Sequence, residues 1–250
     1  MTTNRHPQAR PDTVKRLRRL LPTRATERTA DLDACLPHLA SALHAAANPE
    51  RALNGLERLR AAMGGTAALW HLLADSPHLA DALVTLFSGS RFLTDIVLRD
   101  PASLALIGDR EALARPLDAA LAYDRAMAAM GNARGDDARL DALRRYQRQE
   151  LLRIGACDMM CLSDLATVTR QLAHLADGLI RAALRTAAEG AGVAPDDLGV
   201  VAMGKLGGQE LNYSSDIDLL FLAASDAARL TPLARRLIDA LGRVTGEGFL

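Results

Sequence analysis

The chain has 250 residues, 49% of them hydrophobic, a mean hydropathy of +0.03, and 30 basic against 30 acidic side chains. That is enough apolar material for one large core or two small ones, and it excludes both a disordered and a membrane-embedded chain. The charge is uneven: residues 1–30 hold eight Arg or Lys against two Asp or Glu, and residues 31–250 hold 22 against 28.

We read residues 1–30 as a basic, loosely ordered start and not as a nucleic-acid patch. With 1 Trp, 3 Tyr and 4 Phe, the chain is too poor in aromatics for a base-stacking platform. The sequence shows neither the apolar run of a signal peptide nor the ~18 apolar residues of a spanning helix. Three cysteines, Cys35, Cys157 and Cys161, make no disulfide framework. The expectation is a cytoplasmic protein without nucleic acid or membrane as partner.

Alanine, the strongest helix former, occurs 47 times, so helix is the expected default. Asn48-Pro49, Ser76-Pro77, Asp100-Pro101 and Thr231-Pro232 each place a capping side chain before a proline suited to the first helical position. Gly64-Gly65, Gly89, Gly131 and Gly135 punctuate the segments between. The pattern predicts helices over 31–46, 49–62, 66–75, 77–87, 91–98, 101–107 and 117–130, then two long ones over 137–155 and 163–188. Leu140, Leu143, Leu151 and Ile154 form one stripe of the first long helix. Leu165, Val168, Leu172, Leu175 and Leu179 form the seam of the second.

Near residue 190 the pattern changes. Residues 190–197 are loop by composition, and 200–203 form a short apolar run between Gly199 and Gly204 that suits a buried strand. A second such run covers 217–223, a helix is expected over 231–244, and Gly246-Glu247-Gly248-Phe249-Leu250 leads toward a third strand. The expected organisation is a helical domain over 31–190, then the first part of an α/β domain over 191–250. The class is α+β, mostly α.

Between the two runs lies the chemistry. Lys205 is followed by Leu206, which excludes a Walker A loop, and glycines at 204, 207 and 208 exclude a dinucleotide fingerprint. What remains is a strand, a glycine turn, and Asp216-Ile217-Asp218 opening the second strand. Residues i and i+2 of a strand share a face, so both carboxylates point together. Such a pair repels itself unless a cation lies between, and Mg²⁺ takes one or two carboxylates plus substrate phosphates. Gly207 and Gly208, lacking Cβ atoms, would let backbone amides cradle a phosphate. An Asp-x-Asp also arises as a solvated strand end, but together with the glycine turn it points to nucleotidyl transfer.

The stretch Val201-Ala202-Met203-Gly204-Lys205-Leu206-Gly207-Gly208-Gln209-Glu210-Leu211-Asn212-Tyr213-Ser214-Ser215-Asp216-Ile217-Asp218-Leu219-Leu220-Phe221 closely resembles the signature of the bifunctional glutamine synthetase adenylyltransferase/adenylyl-removing enzymes. That family belongs to the DNA polymerase β-like nucleotidyltransferases. Arg148, Glu150-Leu151-Leu152-Arg153-Ile154-Gly155 and Asp158 resemble the family's helix ahead of the catalytic domain. The resemblance implies a multifunctional enzyme of nitrogen metabolism and places this chain in its N-terminal, adenylyl-removing half. There phosphate attacks the AMP on a glutamine synthetase tyrosine and ADP leaves, while the C-terminal half transfers AMP from ATP.

It further implies Asp216 and Asp218 as catalytic residues and Mg²⁺ ligands. Gly204, Lys205, Gly207, Gly208, Ser214 and Ser215 become contacts to phosphate or nucleotide, and glutamine synthetase and a PII-type regulator become partners. The family's third carboxylate follows the Gly-Glu-Gly-Phe-Leu stretch, so the chain is expected to be a fragment with little turnover of its own. Glu247 is not expected to replace it.

Other residues suggest less. Cys35 and His38 are three apart, but Pro37 is expected to interrupt the helix, so ordinary packing is the better account than zinc. Cys157 and Cys161 are expected as buried small hydrophobes, His71, His78 and His174 as structural residues, and Arg144, Arg145 and Arg148 as a solvated helix face. Two rival readings stay open: a non-catalytic helical interaction module, and a related nucleotidyltransferase with another acceptor.

Overall fold

The computed structural model describes residues 15–17, 30–65, 68–131, 133–223, 227–248 and 250. Most of the basic start therefore lies outside the described residues, as does the side chain of Cys35. The elements in chain order are α1 (Ala30–Ala45), α2 (Pro49–Ala62), α3 (Ala68–Asp75), α4 (Pro77–Gly89), α5 (Arg91–Arg99), a 3₁₀ turn (Pro101–Ser103), α6 (Leu104–Gly108), α7 (Arg110–Ala114) and α8 (Ala119–Met130). There follow α9 (Asp136–Met159), α10 (Leu165–Ala191), a second 3₁₀ turn (Pro195–Asp197), β1 (Leu198–Ala202), α11 (Gly204–Gly207), β2 (Leu219–Ala223) and α12 (Ala227–Gly242). Among the described residues the chain is mostly helical, with one antiparallel two-stranded sheet.

Contacts divide it into two units. One holds residues up to Ala114 together with Gly155–Leu162; the other holds Arg115–Ile154 and Ser163–Leu250.

The first unit follows its punctuation. Asn48 accepts from the Arg51 amide at 2.9 Å and Ser76 from the Leu79 amide at 3.2 Å, so both prolines start helices that lack only a dispensable donor. Leu53, Leu56, Trp70, Leu83, Phe87 and Val97 are buried. Gly55 lies against the Phe87 ring, where a Cβ would come within 2.5 Å of Cδ2. Two expectations fail here. Pro37 does not interrupt α1, which runs through it. Cys157 is buried, but Cys161 is exposed. Cys161 takes the left-handed position (φ 54°) of a Schellman motif, with the Leu162 amide bonded to the Cys157 carbonyl and the Cys161 amide to that of Asp158, both at 2.9 Å.

The second unit packs α8, α9, α10 and α12 and the inner face of the sheet around Leu143, Ile154, Leu172, Leu179, Leu206 and Leu237. Gly178 on α10 lets α8 approach, because a Cβ there would fall 2.7 Å from the backbone of Ala122. Val168, Leu172, Leu175 and Leu179 are buried as the seam requires, while Leu165, in the first turn beside the Asp164 cap, is 74% exposed.

Inside the unit sits a paired ionic network. Arg153 Nε donates to Glu150 at 2.7 Å and its NH2 to Gln171 Oε1 at 2.8 Å, and Arg125 donates to Glu150 at 2.9 Å. Gln171 Oε1 also accepts the Leu117 amide at 3.1 Å. Burial and the neighbouring Glu150 raise the Tyr146 phenol above the ordinary tyrosine range.

Of the arginine face of α9, Arg145 is exposed as expected, Arg148 is partly buried, and Arg144 is not solvated at all. Arg144 is fully buried and donates to the carbonyls of Ala240 (3.2 Å) and Arg243 (3.0 Å), where α12 ends and its unpaired carbonyls attract a cation. Nor does α12 start at Pro232: it begins a turn earlier, and Thr231 Oγ1 bonds back to the Ala227 carbonyl at 2.8 Å.

Candidate active site

The antiparallel register pairs Leu198 with Ala223, Val200 with Phe221 and Ala202 with Leu219. A further bond, Met203 N–H to the Asp218 carbonyl at 2.9 Å, carries the ladder one residue past β2 as assigned. Alternation runs further still. Ile217, Leu219 and Phe221 pack on the core, whereas Asp216, Asp218, Leu220 and Leu222 are exposed. Period-two geometry thus puts both carboxylates on the outer face, although the strand proper begins at Leu219. The strands are not buried on both faces as expected, because an antiparallel pair needs only one covered side.

Gly204 opens α11 at φ 55°, which glycine adopts without strain, and a Cβ there would come within 3.6 Å of Asp218 Oδ2. Its missing side chain leaves room beside that carboxylate. Gly207 has a different reason: a Cβ would fall 2.5 Å from the Ala202 carbonyl oxygen. The Gly207 and Gly208 amides are spent within the turn, bonded to the carbonyls of Met203 (3.1 Å) and Gly204 (3.0 Å). These two glycines shape the turn, and a phosphate would have to find other donors.

Leu206 and Leu211 are buried and anchor the turn to the core. Lys205 Nζ reaches Ser215 Oγ at 3.4 Å. Asn212 was not foreseen as part of the site. Its Oδ1 accepts from the Ser214 amide at 3.2 Å and from Ser215 Oγ at 2.7 Å, an Asx turn whose signal is Asn two residues before the loop serine.

Neither Asp216 nor Asp218 has a side-chain hydrogen bond or ion pair among the described residues. Two unpartnered carboxylates on one exposed face fit a hard divalent cation as two of its ligands. Among the described residues, no three His, Cys, Asp or Glu side chains gather where a metal could be held. Glu247 is committed elsewhere: Arg148 bonds both its carboxylate and its carbonyl, Arg145 lies 3.4 Å away, and the Arg148 hydrogen bond first, then its charge and Arg145, hold the carboxyl below its ordinary range. Around it, Thr245 and Gly248 close a single β-bridge.

The profile of the glutamate-ammonia ligase adenylyltransferase family matches residues 80–250, which include α9, both strands and the intervening turn. The chain belongs to this family. A bifunctional glutamine synthetase adenylyltransferase/adenylyl-removing enzyme of Streptomyces avermitilis is 35% identical over 225 residues, 84% of this chain and 21% of that protein. The enzymes of that name from Chromobacterium violaceum and Leifsonia xyli are 31% and 29% identical, over 88% and 86% of this chain and 25% and 22% of theirs. The chain spans about a quarter or less of the length of these relatives. Among the described residues, no helix is long and apolar enough to cross a membrane.

Proposed function

We propose that this chain is part of an adenylyl-removing nucleotidyltransferase acting on glutamine synthetase, with residues 191–250 as the first part of a polymerase β-like catalytic domain. The observation that carries the proposal is the pair of unpartnered carboxylates, Asp216 and Asp218, on one exposed sheet face beside the Gly204–Gly207 turn. They would hold Mg²⁺. When bound, the ion offsets negative charge at the reacting phosphorus. Lys205 and Ser215 would neutralise and orient phosphate oxygens from the turn side, and Asn212 positions Ser215 for that work.

In the proposed reaction a phosphate oxygen forms a bond to the AMP phosphorus, the bond to the tyrosine oxygen breaks, and ADP and the free tyrosine depart. The relatives' name supports adenylylated glutamine synthetase as the proposed partner, and the sequence resemblance adds phosphate, ADP and a PII-type regulator as further proposed partners. Only two carboxylates gather among the described residues, so we propose binding with little turnover by these 250 residues.

Binding preference tests the direction. The chain is expected to bind adenylylated glutamine synthetase more tightly than the unmodified enzyme when Mg²⁺ is present. Equal affinity for both would contradict the removing role and favour a different acceptor.

A further inference from the structure

The segment between the strands has spent many of its donors on itself. The amides of Gly207 and Gly208 bond to Met203 and Gly204, and those of Gln209 and Glu210 to Leu206 and Lys205. Those of Ser214 and Ser215 bond to the side chain and the carbonyl of Asn212. A phosphate brought to Asp216 and Asp218 therefore depends on side-chain donors, and the direction of each hydrogen bond in the loop distinguishes them.

The Ser214 amide can only donate, so the Asn212 atom 3.2 Å from it is the carbonyl oxygen Oδ1. An amide oxygen only accepts, so the Ser215 hydroxyl, 2.7 Å from the same atom, supplies the proton there. Serine has one O–H. With that proton turned to Asn212, Ser215 presents only lone pairs, and the Lys205 ammonium donates to one of them at 3.4 Å. The bonds run in one direction, from Lys205 to Ser215 to Asn212, and the Ser214 amide anchors the far end. They tie the ammonium to the residue next to Asp216 and leave two of its three protons for a ligand. Ser214 is unlike its neighbour: it is exposed, and its hydroxyl has no partner among the described residues.

Resting on the proposed adenylyl-removing site, we propose that Asn212 and Ser215 are positioning residues that hold the Lys205 ammonium. Phosphate oxygens then take their hydrogen bonds from Lys205 and Ser214. Ser215 acts on phosphate only through Lys205, so two adjacent serines, equivalent in sequence, have different tasks.

A double-mutant cycle on the whole 250-residue chain tests this, with the Kd for ADP in the presence of Mg²⁺ as readout and circular dichroism as the check on folding. Asn212→Ala and Ser215→Ala are each expected to weaken ADP binding about fivefold, and the double variant no more than either alone, because both break the same series. Ser214→Ala is expected to weaken it about tenfold, and its effect to add to that of Asn212→Ala. Ser215→Thr keeps the hydroxyl and should restore wild-type affinity. Lys15 and Lys205 are the only lysines, so isotope-labelled lysine gives two side-chain NMR signals. In the ligand-free chain the Lys205 signal should move in Asn212→Ala and in Ser215→Ala and stay in place in Ser214→Ala. Additive losses from Asn212→Ala and Ser215→Ala would overturn the inference. So would a Ser215→Ala variant that loses ADP affinity with the Lys205 signal unmoved, since Ser215 would then be a direct donor. A wild-type chain that binds Mg²⁺ and ADP with Lys205 indifferent to Asn212 overturns this inference alone; one that binds neither brings down the underlying site and this inference with it.

Discussion

The two units bury polar side chains in different ways. In the first, the buried polar residues among those described are Ser88, Thr94 and Ser103, and each hydroxyl bonds back to a carbonyl three or four residues earlier. In the second they are Arg144, Glu150, Arg153, Gln171 and Thr186, and all have partners on other elements or in the ionic network, Thr186 through the Met130 sulfur at 3.5 Å. Local bonds satisfy a donor without fixing the position of anything distant. Long-range bonds to a buried charge do both, because each partner must arrive or the charge is stranded. The second unit, which carries the candidate site, is therefore the one whose register the sequence specifies by chemistry as well as by apolar pattern.

Removing one partner should expose the contrast most sharply. Arg153→Met strands Glu150 with Arg125 alone and leaves Gln171 without its charged donor, at a cost of about 3–5 kcal/mol. Denaturant unfolding measures it, and a loss below about 1 kcal/mol would show that the network is dispensable. Gly207→Ala should cost about 1–3 kcal/mol, because a Cβ meets the Ala202 carbonyl and not a movable side chain.

Tyr146 gives a pH test of the same interior. Its phenol titrates above the ordinary value of 10.0 in the folded chain, chiefly through burial and then Glu150. Its contribution is therefore complete below the unfolded value and is lost as pH rises beyond it toward the folded one. Stability should fall on the alkaline side, and Tyr146→Phe should flatten that fall. An identical alkaline profile in the variant would contradict the assignment. In the first unit, Thr94→Val should cost only about 1 kcal/mol or less, since its hydroxyl bonds its own helix. A larger loss would erase the contrast between the units.

The sequence made much of this legible, and the failures have physical causes. Helix starts at Asn48-Pro49 and Ser76-Pro77 were readable because a cap and a proline reinforce each other. Thr231-Pro232 carries the same signal and misleads, since α12 absorbs Pro232 in its second turn. The outward alternation at Asp216 and Asp218 could be read from spacing alone. That the Gly207 and Gly208 amides are already bonded could not, nor could the burial of Arg144. A guanidinium is buried only when carbonyls distant in sequence come to meet it, and local pattern contains no record of them.

The central claim is that Asp216 and Asp218 are ligands and not a solvated strand end. Calorimetric titration of Mg²⁺ in the presence of ADP, on the wild-type chain and on Asp216→Asn with Asp218→Asn, addresses it directly. The account predicts affinity weakened at least about tenfold in the double variant, with thermal unfolding unchanged because neither carboxylate has a side-chain partner to lose among the described residues. Equal Mg²⁺ affinity in the two proteins would contradict it.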